Sequence, residues 1–135
     1  MDYIRSFFSS GTAPTALRYG DFDFSLPYRI RITTSEAGEK GGLVAFEMAW
    51  CKFCQKNDVV LKALATAHPE IAVMVLEGTS EPAAMHAVSR RGLIKGFPTV
   101  FKVNKGGYIE LDNPYGGEPT TDGYAAFLGL RKGSV

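Results

Sequence analysis

The run Leu43-Val44-Ala45-Phe46-Glu47-Met48 most constrains how this chain folds. It has the length of a strand and is apolar at nearly every position, without the polar alternation of a strand that faces water on one side. Such a run belongs at the centre of a sheet covered on both faces. It leads directly through Ala49-Trp50-Cys51 into a helical stretch from about Lys52 to Ala67, where Val60, Ala63, Leu64 and Ala67 follow the spacing of one helix face. Pro69 ends that helix, because the residue before a proline avoids helical angles.

The flanking sequence supplies the remaining elements. Residues 28–33 alternate and read as a strand, and residues 35–42 are polar and glycine-rich, a loop or one short turn. Ile71 to Leu76 is a second buried strand. Ser80-Glu81-Pro82 opens a helix that runs to about Arg90, with Ser80 as its cap. Pro98 precedes the strand Thr99 to Val103, Lys105-Gly106-Gly107 is a turn, and Tyr108 to Leu111 returns antiparallel. Thr120 or Thr121 caps a last helix ending near Leu130. The order β, β, α, β, α, β, β, α predicts an α/β fold, a central mixed β-sheet flanked by helices on both faces. Residues 1–26 lack clean periodicity and contain the breaker cluster Ser9-Ser10-Gly11-Thr12-Ala13-Pro14. They are read as an N-terminal extension, packed through Phe7, Phe8, Tyr19, Phe22 and Phe24, to one domain spanning residues 27–135.

At 135 residues the chain is long enough to bury one core without disulfide or metal staples. A net charge of +1 provides no bulk attraction to nucleic acid or to a membrane. No apolar run approaches the roughly 20 residues needed to span a bilayer. The first ten residues carry an early acid and no apolar run beyond Phe7-Phe8, unlike a secretory signal. Arg131-Lys132-Gly133-Ser134-Val135 is not a retention tail. A cytoplasmic monomer is expected.

Cys51 and Cys54 are the only cysteines. A bond between residues this close removes little unfolded-state entropy, so stapling explains them poorly. A zinc site usually needs four ligands, and a second C-x-x-C is absent. The only imidazoles, His68 and His86, read as surface residues, so no metal is expected. The pair falls where a central strand ends and a helix begins. The reactive form of cysteine is the thiolate. A helix N-terminus offers unpaired N–H groups and a positive dipole end, and Lys52 adds a neighbouring charge, so the anion of Cys51 is favoured. Cys54 lies one turn further in, more buried, and holds its proton better. Cys51 is therefore the nucleophile that captures a client disulfide, and Cys54 the resolving thiol.

These residues resemble the thioredoxin superfamily, and a protein disulfide isomerase catalytic domain more than bacterial thioredoxin. The resemblance covers about residues 28 to 131. It rests on the strand with Trp50-Cys51-Lys52-Phe53-Cys54, on Gly96-Phe97-Pro98-Thr99, on the hairpin at Lys105-Gly106-Gly107, and on residues 115–123, which are similar to a Y-x-G-x-x-T segment. The resemblance implies a thioredoxin fold with a cis Pro98 against the two cysteines. The backbone of Phe97 would pair with an extended client strand, and Trp50 would form the lip of a shallow docking surface.

The chain departs from the family in places. The buried acid that the family places six residues before the first cysteine is Ala45 here, and its companion lysine corresponds to Val75. Glu47, two residues on from Ala45, faces the same side of the strand and is a candidate proton acceptor. Val59 stands where a kinking proline is frequent, residues 92–96 form a link one residue longer than usual, and Pro119 replaces a frequent arginine. The pair Lys52-Phe53 matches neither the Gly-Pro of thioredoxins nor the Gly-His of isomerases. The resemblance implies a protein disulfide oxidoreductase with no cofactor beyond its own dithiol. Its partners would be client proteins and an electron partner such as a reductase, glutathione or a thiol oxidase. The alternative is a binding or assembly module that uses the fold as a docking platform, with incidental redox activity.

Overall fold

Residues 42–47 form the strand on which the central sheet is built. The computed structural model describes residues 13–131. In chain order its elements are β1 (Thr15–Ala16), β2 (Phe22–Asp23), β3 (Arg31–Ile32), α1 (Ser35–Lys40), β4 (Gly42–Glu47), α2 (Lys52–Ala67), β5 (Ala72–Glu77), α3 (Pro82–Ser89), β6 (Thr99–Val103) and α4 (Thr121–Phe127). The sheet order is β1-β5-β4-β6, with β5 parallel to both β1 and β4, and β6 antiparallel to β4. Every residue of β4 and β5 is buried. This matches their near-continuous apolar sequences, each buried Val, Leu or Phe contributing about 1.5–3 kcal/mol.

The two faces of the sheet carry separate cores. Val44, Phe46, Met74 and Leu76 pack with Ala37 of α1 and Ala84, Met85 and Val88 of α3. Leu43, Ala45, Val73 and Val75 pack with Leu61 and Leu64 of α2 and Tyr124 of α4. Helices thus cover both faces, as the element order predicts. Gly42 begins β4 at φ 151°, and a β-carbon there would sit 1.9 Å from the Ala72 carbonyl oxygen, so only glycine lets β4 approach β5 this closely.

The N-terminal region departs from the reading of residues 1–26 as an extension. Residues 1–12, with Phe7 and Phe8, lie outside the described residues. Residues 13–26 are built into the fold: Thr15 and Ala16 pair with Met74 and Val75 as an edge strand, the Leu17 amide donates to the Val75 carbonyl at 2.8 Å, and Leu17 and Phe22 are buried. A boundary between residues 26 and 27 does not divide the structure. A two-residue strand is too short to show a period, and a sequence reading passes over it.

Four further readings need correction. Ser80, read as the cap of α3, is not its N-cap; that position is Glu81, whose side chain makes no capping hydrogen bond. Of residues 28–33 only Arg31–Ile32 is strand, and it pairs with β2 outside the central sheet. The alternation there reports burial of Ile30 and Ile32, while Tyr28 is exposed. Tyr108–Leu111 makes only isolated bridges, Tyr108 with Arg31 and Ile109 with Val103, because its backbone is shared between β6 and the chain beside β3. His68, read as a surface residue, is buried at the end of α2, with Nδ1 3.0 Å from Glu70 Oε2. His86 is exposed. Residues 35–40 form a short helix, capped by the Thr34 hydroxyl, which accepts the Ala37 amide.

Candidate active site

β4 ends at Glu47, and residues 48–50 turn the chain into α2. Cys51 is the N-cap of that helix in extended conformation, and its Sγ accepts the Cys54 amide at 3.2 Å. A side-chain acceptor at this position satisfies one of the amides that the first helical turn leaves unpaired. Here the acceptor is sulfur. The Cys51 thiol also lies 3.6 Å from the Phe97 carbonyl oxygen, to which it donates. The Phe97–Pro98 peptide is cis. Both cysteines are unbridged and buried, Cys51 at 7% exposure and Cys54 at 2%.

Around the sulfurs the surface is aromatic. Trp50 and Phe53 are 66% and 71% exposed, unusually high for such large apolar side chains. The indole of Trp50 meets the Phe97 ring edge-on, with centroids 6.1 Å apart. A groove of about 250 Å³ is lined by Phe53, Lys56, Phe97, Pro98 and Tyr115. Lys52 points to solvent with its neighbour Phe53. Trp50, Phe53, Phe97 and Pro98 thus gather around Cys51.

Behind the cysteines lies a buried polar cluster. Burial pushes the Cys54 thiol well above the usual cysteine range, and the contact with Cys51 and the negative charge of Glu47 act in the same direction. Glu47 points to the same side as Ala45, as strand alternation requires, and is 1% exposed. Burial pushes its carboxyl up to about 10, helped by a hydrogen bond to Asp58 and that residue's charge, and opposed by Asn57. The Asn57 amide donates to Glu47 Oε2 at 3.0 Å, and the Tyr124 hydroxyl donates to Asn57 Oδ1 at 2.5 Å. Ala45 and Val75 pair across β4 and β5, and both are fully buried. The position six residues before Cys51 is therefore apolar, and the buried carboxyl near the cysteines enters from Glu47.

Asn57, Asp58 and Tyr124 were not among the residues singled out from the sequence. The buried stripe of α2 is Cys54, Asn57, Asp58, Leu61 and Leu64, whereas Ala63 and Ala67, assigned to the buried face, are exposed. Two polar residues inside the stripe rotated the apparent face. Their spacing of i+3 and i+4 from Cys54 was the available signal.

Glu77 was missed as well. Its carboxylate, at the end of β5, accepts from the Ala49 amide at 2.7 Å, the Thr79 amide at 2.8 Å, the Thr79 hydroxyl at 2.5 Å and the Ser80 amide at 2.9 Å. Burial raises its pKa, but these hydrogen bonds outweigh burial and hold it below the usual value. Among the described residues no group of three or more His, Cys, Asp or Glu side chains is arranged to hold a metal.

No family model and no curated protein sequence matches the chain. Solved structures do. Spinach chloroplast thioredoxin f in its long form superposes with a TM-score of 0.63 at 14% identity, over 93% of this chain and 91% of that one. The zinc-bound form of human ERp44 gives 0.62 at 14% identity over 87% of this chain. Form I of ERdj5 gives 0.61 at 13% over 90%. The chain spans only 29% of the ERp44 chain and 14% of the ERdj5 chain. At these identities the likeness is one of architecture. Sheet order, helices on both faces and a cysteine pair where the central strand gives way to a helix together make this chain a thioredoxin-fold domain.

Proposed function

We propose that the chain is a protein thiol–disulfide oxidoreductase in which Cys51 attacks and Cys54 resolves. The observation that carries the reading is the placement of Cys51 Sγ. It caps α2 by accepting the Cys54 amide and lies beside the Phe97 carbonyl that precedes the cis Pro98. An amide donor and the helix dipole stabilise a sulfur anion at that point, and exposed Lys52 adds positive charge.

The exchange proceeds in two displacements. The Cys51 thiolate attacks one client sulfur, a Cys51–client S–S bond forms, and the other client sulfur leaves with the electron pair and takes a proton. The Cys54 thiol then loses its proton and attacks Cys51 Sγ. The Cys51–Cys54 bond forms, the mixed disulfide breaks, and the client leaves fully reduced. The protein's own dithiol supplies the two electrons. A reductase or glutathione restores the dithiol, or a thiol oxidase drives the reverse direction. Trp50, Phe53, Phe97 and Pro98 form the docking face, where an extended client segment meets the backbone of Phe97. Glu47, whose charge bears on the Cys54 thiol, is the acceptor for the Cys54 proton only once its own raised carboxyl has ionised.

Insulin reduction with dithiothreitol as electron source tests the reading. The wild type is expected to accelerate precipitation of the reduced insulin chains, and Cys51→Ser to remove that acceleration. A variant as active as the wild type overturns the oxidoreductase reading in favour of a docking module.

A further inference from the structure

We infer that Arg91 is a positioning residue for the Phe97–Pro98 loop, and that it acts by clamping the link before that loop to residues 24–29. Its effect on client capture rests on the oxidoreductase reading; the clamp itself does not.

The link between α3 and β6 has little backbone bonding to hold it. Among the described residues, residues 93–98 take part in no backbone–backbone hydrogen bond. At the far end Thr99 enters β6, and its hydroxyl donates to the Gly96 carbonyl at 2.5 Å. At the near end the Arg91 amide donates to the Val88 carbonyl and the Gly92 amide to the Ser89 carbonyl, which closes the turn after α3. The stretch between these ends carries the cis peptide and the carbonyl that receives the Cys51 thiol. Side chains must therefore fix where those atoms sit.

Arg91 supplies the fixed point. Its Nη1 donates to the Leu26 carbonyl at 3.0 Å and to the Arg29 carbonyl at 3.3 Å, and its Nη2 donates to the Phe24 carbonyl at 2.8 Å. The guanidinium carbon lies 5.8 Å from the centre of the Phe24 ring. No acidic side chain among the described residues pairs with Arg91. Its half-buried charge is met by three backbone carbonyls instead, and a planar fork with five donors suits that task better than a single ammonium.

Two further contacts extend the clamp. Phe24 packs against the same core cluster as Leu93, Ile94 and Phe97 of the link. The Tyr19 amide donates at 2.9 Å to Oε1 of Glu81, the N-cap of α3. Residues 19–29 thus grip α3 at its start and again just past its end. In the proposed reaction the client segment docks on the backbone of Phe97. The second displacement, by contrast, runs between Cys54 and Cys51 within the first turn of α2. A loosened link should therefore weaken client capture and spare the resolving step, because contacts of this kind are sensitive to displacements of about 1 Å.

The test is insulin reduction by Arg91→Ala and Arg91→Lys, together with nitrogen-15 relaxation of the wild-type backbone. Wild-type residues 92–97 are expected to be as rigid as α3, with order parameters near about 0.85. Arg91→Ala should raise KM for insulin by about fivefold or more, with kcat within about twofold of the wild type. Arg91→Lys keeps the charge without the fork and should recover only part of that loss. A merely structural defect would reduce the amount of active protein, and so kcat, and leave KM in place. The clamp is overturned if the wild-type order parameters of residues 92–97 fall below about 0.6, or if Arg91→Ala keeps the wild-type KM. The wild-type relaxation decides the question even where Arg91→Ala does not fold. A wild type with an ordered link that reduces no insulin would refute the oxidoreductase reading alone.

Discussion

The carboxylate of Glu77 accepts the backbone amide of Ala49 at 2.7 Å, which ties the end of β5 to the turn two residues before Cys51. The same carboxylate holds the amides of Thr79 and Ser80. One side chain therefore sets the spacing between the loop carrying the dithiol and the loop leading to α3.

Glu77→Gln replaces one acceptor oxygen with an NH2 group that faces amides, so at least one buried N–H loses its partner. A loss of about 3 kcal/mol in urea unfolding is expected. The carboxyl is held below its usual 4.5, so the unfolded chain binds more protons in the window beneath that value. Its contribution is complete above pH 4.5 and is lost as pH falls through the lower folded value. The variant should lack that part of the acid dependence.

Glu47 has the opposite sign. Its folded carboxyl is pushed up to about 10 from an ordinary 4.5, so the folded protein keeps a proton that the unfolded chain releases. Stability from this group is complete below pH 4.5 and declines as pH rises towards 10, by at most about 1.4 kcal/mol per pH unit. Urea midpoints should fall between pH 6 and pH 8, and Glu47→Gln should flatten the decline. A wild-type midpoint that rises over this interval would contradict the burial assigned to Glu47.

Cys54→Ser keeps the attacking sulfur and removes the resolving one. It should accumulate as a mixed disulfide with a client or model disulfide, visible as a shifted band without reductant. Cys51→Ser should give no such band, because Cys54 is buried at 2% exposure.

If Cys51 and Cys54 exchange disulfides as proposed, Lys52-Phe53 sets the redox poise. A lysine beside the attacking sulfur favours the reduced form and makes the protein more oxidising, whereas Phe53 contributes no charge. Equilibration with glutathione buffers should give a reduction potential between about −270 mV and about −180 mV.

Much of this architecture was legible in sequence. The runs at 43–48 and 71–76 became β4 and β5 with shifts of one residue, and α2 begins at Lys52 and ends at Ala67. Buried strands and a capped helix carry their own local signal. The losses were non-local. β1 has two exposed residues, and its place in the sheet depends on Met74 and Val75, far along the chain. At the site, Cys51, Cys54 and Glu47 were visible because a C-x-x-C and an acid in an apolar run stand out. Asn57 and Asp58 were not, since a polar residue on a helix reads as solvated until the partner behind it is known. Tyr124 and Glu77 lie in other elements, and only the packed structure connects them to the cysteines.

Trp50 is the only tryptophan in the chain and stands two-thirds exposed beside the attacking sulfur. Under the proposed function the protein therefore carries its own optical probe at the point of contact. A captured peptide that covers the indole would shift its emission to shorter wavelengths, so the arrival and departure of a client can be timed by stopped-flow fluorescence without any label.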